Sequence, residues 1–192
     1  MTNNDHRQAR RARQQRARLK EYAIWGGLAL LVLLALGAMI WQGVRPATGE
    51  SVSVMTSSPH ITIDTDPGSY NSDPPTSGLH YPEEATAKFY DTNYYTYPAG
   101  YLVHNLEHGY VIFWYNCNAL SESDCADLKT QIKSAMDDLG GIKLIAYPWP
   151  SLDVPVAMTS WGRLQKFETF DPLEAKAFVR SNLNRSPEPN AP

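Results

Sequence analysis

The chain has 192 residues, 43% of them apolar and two of them cysteine, with a formal net charge of −3. That length suits one domain with appendages and excludes a large multidomain machine, while the apolar fraction excludes a disordered protein. The small net charge hides a split: residues 1–21 carry seven basic and two acidic side chains (+5), residues 22–44 none, and residues 45–192 ten basic and eighteen acidic (−8).

A basic tail, an apolar block and an acidic domain point toward a membrane and away from nucleic acid. The stretch Tyr22 to Trp41 is uncharged and rich in Leu, Ala and Gly. At ~1.5 Å per residue such a helix would span the ~30 Å hydrocarbon core, so a transmembrane helix is predicted over residues 22–42, with the lipid bilayer as its partner. Trp25 and Trp41 lie near its ends, where indole rings favour the interface. Arg7, Arg10, Arg11, Arg13, Arg16, Arg18 and Lys20 precede it and only Arg45 follows closely. The positive-inside rule then predicts a basic cytoplasmic tail over residues 1–21, a single pass through the plasma membrane, and an exported C-terminal domain. The length of the run and the context Trp41-Gln42-Gly43-Val44-Arg45 read as an uncleaved signal anchor rather than a signal peptide.

Residues 43–60 are polar and small and read as a stalk. Residues 64–82 are dense in Asp, Pro, Gly, Ser and Asn and read as an ordered loop or as no structure at all. Strands are predicted at Tyr101–Val103 and Gly109–Tyr115, where β-branched and aromatic residues concentrate. A helix is predicted over Ser121–Leu139, because Leu128, Ile132, Ala135, Met136 and Leu139 share one face of a 3.6-residue period. Ser121 with Asp124 forms a capping pattern, and Gly140-Gly141 a stop. Strands follow at Ile142–Tyr147, Val156–Trp161 and Leu164–Phe167. Asp171-Pro172-Leu173-Glu174 then opens a last helix, with Asp as cap and Pro at the first position. The exported domain is thereby assigned to residues 61–185, and residues 186–192 to a disordered tail. The fold class is α+β: one transmembrane helix plus one exported mixed α/β domain. From Gly109 onward the element order is that of a thioredoxin-like C-terminal half, with Pro155 where that fold places a cis-proline. No Cys-x-x-Cys accompanies it, so the analogy brings no thiol-disulfide exchange chemistry.

Cys117 and Cys125 lie close together at a strand-to-helix junction, and in an exported domain such a pair predicts a structural disulfide. The histidines are more informative. His6 falls in the basic tail and His60 in the stalk, which leaves His80, His104 and His108. His104-Asn105-Leu106-Glu107-His108 is an H-x-x-E-H string, whose zinc chemistry requires a helix that puts both imidazoles on one ion with the Glu as base. The flanking strand-like residues argue against that helix. In a strand the two imidazoles would stand ~13 Å apart, so a shared ion needs a turn near Gly109. His80 stands on a stiff proline- and glycine-bearing segment able to carry it to that turn. Three imidazoles with Glu107 would suit zinc or copper, and a thioether from Met55 or Met158 would favour Cu(I). Histidines that merely satisfy buried hydrogen bonds fit the residues equally well.

The motifs Asp73-Pro74-Pro75-Thr76-Ser77-Gly78-x-His80 and Leu102-Val103-His104-Asn105-Leu106-Glu107-His108-Gly109, with the Pro155–Arg163 element, resemble the bacterial family known as domain of unknown function 3105. The resemblance implies a small protein with an N-terminal membrane anchor and an exported domain, in which His80, His104, Glu107 and His108 belong together. The resulting expectation is a non-enzymatic module that binds copper or zinc through these four residues and serves metal delivery or membrane-complex assembly. The alternatives are a structural or interaction subunit of a membrane protein complex, and a zinc-dependent hydrolase with Glu107 as general base.

Overall fold

The computed structural model describes residues 20, 22–37, 47–57 and 59–191. They fall into two units, divided between Pro46 and Ala47. In the first, residues 22–37 form helix α1, and its apolar side chains, Trp25 and Leu31 among them, are exposed. This corrects the transmembrane assignment. Among the described residues no helix is long and apolar enough to cross a membrane. Residues 1–19, 21 and 38–46 lie outside the described residues, and with them the basic tail, Trp41 and the start of the stalk.

The second unit is a mixed α+β domain. Its elements are β1 (Glu50–Ser51), α2 (Pro98–Glu107), β2 (Val111–Tyr115), α3 (Glu122–Asp138), β3 (Leu144–Pro148), β4 (Val156–Ser160), β5 (Arg163–Phe167) and α4 (Pro172–Asn182). The strands make one sheet in the order β1-β5-β4-β2-β3, parallel only between β2 and β3. Val-Ile-Phe-Trp-Tyr of β2 is buried throughout. A strand covered on both faces needs such a continuous apolar run rather than alternation. Val111, Phe113 and Tyr115 pack with Leu128, Ile132 and Met136 of α3 and Phe178 and Val179 of α4. Ile112 and Trp114 point to the other face, onto Leu102 and Leu106 of α2 and the loop residues Ala85 and Tyr90.

The ends of α3 and α4 follow from their sequences. Ser121 Oγ accepts the Asp124 N–H at 3.1 Å, and Asp171 Oδ1 accepts those of Leu173 and Glu174. Past α3 the N–H groups of Gly140 and Gly141 close onto the Asp137 and Met136 carbonyls, which satisfies acceptors that the helix leaves open. Cys117 and Cys125 form a disulfide, with an S–S distance of 2.04 Å and Cα atoms 5.4 Å apart. It pins the loop after β2 to the first turn of α3.

Four expectations change. Tyr101–Val103 is not a strand but the middle of α2. Pro98 stands at its first position, and Ala99, Leu102, Val103 and Leu106 are buried at helical spacing, so packing onto β2 overrides the local β preference. The segment expected as stalk contributes β1, whose Glu50 and Ser51 pair with Leu164 and Arg163. Pro155 does precede β4, but among the described residues the cis peptide bond is Asp73–Pro74. Residues past Arg185, expected to lack structure, are held in place. Glu188 N–H donates to the Glu107 carbonyl, and Lys143 Nζ donates to the carbonyls of His108, Pro189 and Ala191.

Residues 59–97 contain no helix and no strand beyond the isolated bridge of Phe89 to Ala146. They are nonetheless sewn to α2. Tyr81 N–H donates to the Gly100 carbonyl, and the Asn105 amide clamps Ala85, accepting from its N–H and donating to its carbonyl, both at 2.9 Å. Gly100 lets the fully buried Tyr81 ring lie against the helix, and a methyl group there would overlap that ring. The ring cannot swing aside, because its hydroxyl donates to Thr65 O at 2.7 Å. Gly100→Ala should therefore destabilise the domain by about 1–3 kcal/mol, read as a lowered urea midpoint. Closing the short loop between Cys117 and Cys125 contributes about 2–3 kcal/mol in the chain-entropy account, so the double Cys117→Ala/Cys125→Ala variant should unfold at correspondingly lower denaturant. An unchanged midpoint would show that the crosslink constrains nothing.

Candidate metal centre

The site forms where the loop folds over the C-terminal half of α2. His104, from the middle of the helix, and His80, from the loop, are buried. Each ring is oriented by a backbone carbonyl: His104 Nδ1 lies 2.6 Å from Tyr81 O, and His80 Nδ1 lies 2.9 Å from Gly78 O. A carbonyl can only accept, so both Nδ1 atoms carry the proton and both Nε2 lone pairs are left for another partner. This is how a metal-ligating histidine is held in its tautomer and orientation.

The partner on the His80 side is itself an acceptor. Glu107 Oε2 lies 2.9 Å from His80 Nε2, and Glu107 is buried. With Nδ1–H committed to Gly78, a neutral His80 would set a lone pair against a carboxylate. The contact therefore needs a proton or a cation shared by the two groups. Glu107 Oε1 accepts from Ser57 Oγ at 3.0 Å, which fixes the carboxylate from its other side.

The third imidazole is His60. Its ring stacks on His104 with centroids 5.2 Å apart and meets His80 edge-on at 4.8 Å. One ligand atom each from His60, His80 and His104 lies within 4.8 Å of the others. Tetrahedral bonds of ~2.0–2.1 Å put ligand atoms ~3.4 Å apart, so a small inward movement closes the set on one ion. Glu107 stands beside it, with Oε2 3.9 Å from His60 Nε2.

His108 is not in that group. It occupies the C-cap of α2, one residue beyond the last helical turn. Its ring lies 4.3 Å from that of His104, but Nδ1 faces Glu84 Oε2 at 3.2 Å and Nε2 faces Glu188 Oε2 at 3.6 Å. The structure thus brings His80, His104 and Glu107 together, with His60 rather than His108 as the third imidazole of the group. Nothing local marks His60: it sits in a polar stretch, and only the path of the chain brings it to α2. The thioethers of Met158 and Met55 have other partners. Met158 packs in the core on the α3–α4 face, and Met55 Sδ accepts the Asn71 N–H.

Burial holds His104 below its ordinary value of 6.5; the bond to Tyr81 O opposes it, and the adjacent His108, His80 and His60 imidazoles add smaller downward contributions. His104 is accordingly neutral at pH 7, the state a metal ligand needs. The unfolded chain binds a proton near pH 6.5 that folded His104 refuses until lower pH. Its contribution to stability is therefore complete above 6.5 and is lost as the pH falls below it. The pH dependence of urea unfolding of metal-free protein should be shallower below 6.5 in His104→Gln than in wild type. Superimposable slopes would show that this ring titrates alike folded and unfolded.

Comparison with curated proteins found no match, and neither did comparison with solved structures. The family model described as "Protein of unknown function (DUF3105)" matches residues 61–192. The match takes in His80, His104, Glu107, His108 and the disulfide, and begins one residue after His60. The sheet, the loop over α2 and the histidine pocket between them are thus features of a chain that belongs to the DUF3105 family.

Proposed function

We propose that the unit from Ala47 onward is an extracytoplasmic metal-binding module that holds a divalent ion and passes it on, rather than an enzyme. The observation that carries this reading is the convergence of His60, His80 and His104 within 4.8 Å, with the two buried rings already anchored through Nδ1. Three imidazoles and a carboxylate suit Zn²⁺ or Cu²⁺. Met158 and Met55, the thioethers that would favour Cu⁺, are engaged with other partners. Both Glu107 oxygens have partners, which fits a ligand or an orienting group better than the general base of a hydrolase. The disulfide supports placement in an oxidising compartment.

The test is elemental analysis of the full chain after loading with Zn²⁺ and, separately, Cu²⁺. Wild type should hold one equivalent, His80→Ala and His104→Ala far less, and His108→Ala close to one. With free ion at a hundred times its Kd the folded state gains about 2.7 kcal/mol, or roughly 5–10 °C in melting temperature for a domain of this size. A chelator should remove that gain, and acidification below about 6.5, where imidazoles protonate, should weaken it. A wild-type chain that takes up neither ion would make the histidines architectural.

A further inference from the structure

The three imidazoles are not equivalent. The His80 side chain is fully buried and that of Glu107 nearly so at 10%, whereas His60 is 44% exposed. His80 and His104 each have a ring N–H on a backbone carbonyl. Among the described residues the His60 ring has ring contacts with its neighbours and a distant approach to Glu107, but no hydrogen bond. The segment that carries it is pinned on both sides. Met55 N–H donates to Ser77 Oγ and Ser57 Oγ to Glu107 Oε1 before it, and Ile61 N–H donates to the His80 carbonyl after it. His60 is thus held over the outer side of the pocket by its backbone neighbours while its imidazole faces solvent.

Resting on the metal-binding reading above, we propose that His60 is the exchangeable ligand and that the ion leaves through its position. His80, His104 and Glu107 make the permanent floor of the site. An incoming imidazole on an acceptor polypeptide donates a ring-nitrogen lone pair to the ion as the bond from His60 breaks. The oxidation state of the ion does not change and no proton has to move when both rings are neutral. The acceptor is therefore a histidine-bearing protein segment that approaches from the exposed side, since His80 and His104 are covered by the loop and by α2. In this arrangement a weakly anchored third ligand sets the rate of transfer, and the buried pair sets most of the affinity.

The experiment uses the full chain loaded with Co²⁺, whose visible spectrum reports ligand number and geometry, in wild type, His60→Gly, His60→Gln and His80→Ala. Both His60 variants should still bind one equivalent, weakened roughly 10- to 100-fold, the range that a peripheral partner of a metal site contributes. Millimolar free imidazole should restore the wild-type spectrum and affinity to His60→Gly but not to His80→Ala, and release to a histidine-rich peptide should be faster from His60→Gly than from wild type. Two outcomes overturn the proposal while leaving the metal site intact: loss of the ion from His60→Gly as complete as from His80→Ala and without imidazole rescue, or unchanged affinity and spectrum in both His60 variants. A wild-type chain that binds no ion overturns the metal reading, and this inference with it.

Discussion

A buried irregular segment is stable only if its backbone polar groups find partners, because no sheet ladder supplies them. In this domain helix α2 meets that requirement. Its Gly100 carbonyl takes the Tyr81 N–H, its Asn105 amide takes both backbone groups of Ala85, and its His104 ring donates to Tyr81 O. These bonds fix the path of the loop, and the loop in turn brings His80 onto Glu107. The histidine pocket is a consequence of this stitching rather than an addition to it. His104 belongs to both systems, with Nδ1 tying down the loop and Nε2 facing the pocket.

The parts of the fold legible in the sequence are those where local signals and packing agree. From Val111 onward every element lies where periodicity and capping put it, because Ser121, Asp171 and the glycines after Leu139 act on their own immediate neighbours. The H-x-x-E-H segment is different. Tyr101-Leu102-Val103 looks like a strand, and only burial against Ile112 and Trp114 makes it helical. The signals for a helix were nevertheless present: Pro98 at the first position, apolar residues at 99, 102, 103 and 106, and Gly109 as the stop. Gly109 adopts φ 86° and sends its N–H to Leu106 O, while Tyr110 N–H reaches Asn105 O, a closure that favours glycine.

The histidine pocket divides in a related way. Once α2 is a helix, His104 and Glu107 lie three residues apart on neighbouring positions of one face. His108 would extend that face if the helix continued, but it falls on the C-cap and turns toward Glu84 and Glu188. His60 depends on a chain path no short-range pattern encodes. β1 pairs with β5, and the Val52 N–H reaches the Gly162 carbonyl, so the following residues are led across the loop.

The spacing of the pocket residues along the chain has a consequence of its own. His60, His80 and His104 bracket the one long stretch of the domain that has no regular structure, with the loop between His80 and His104 longer than the loop closed by the disulfide. An ion bound to all three would act as a reversible crosslink across that stretch, tying its two ends and its middle to one point. The disulfide secures the α3 side of the sheet and answers only to reductants. The ion would secure the α2 side and answer to acidity and to competing ligands, so the two layers could be loosened independently by different chemistry.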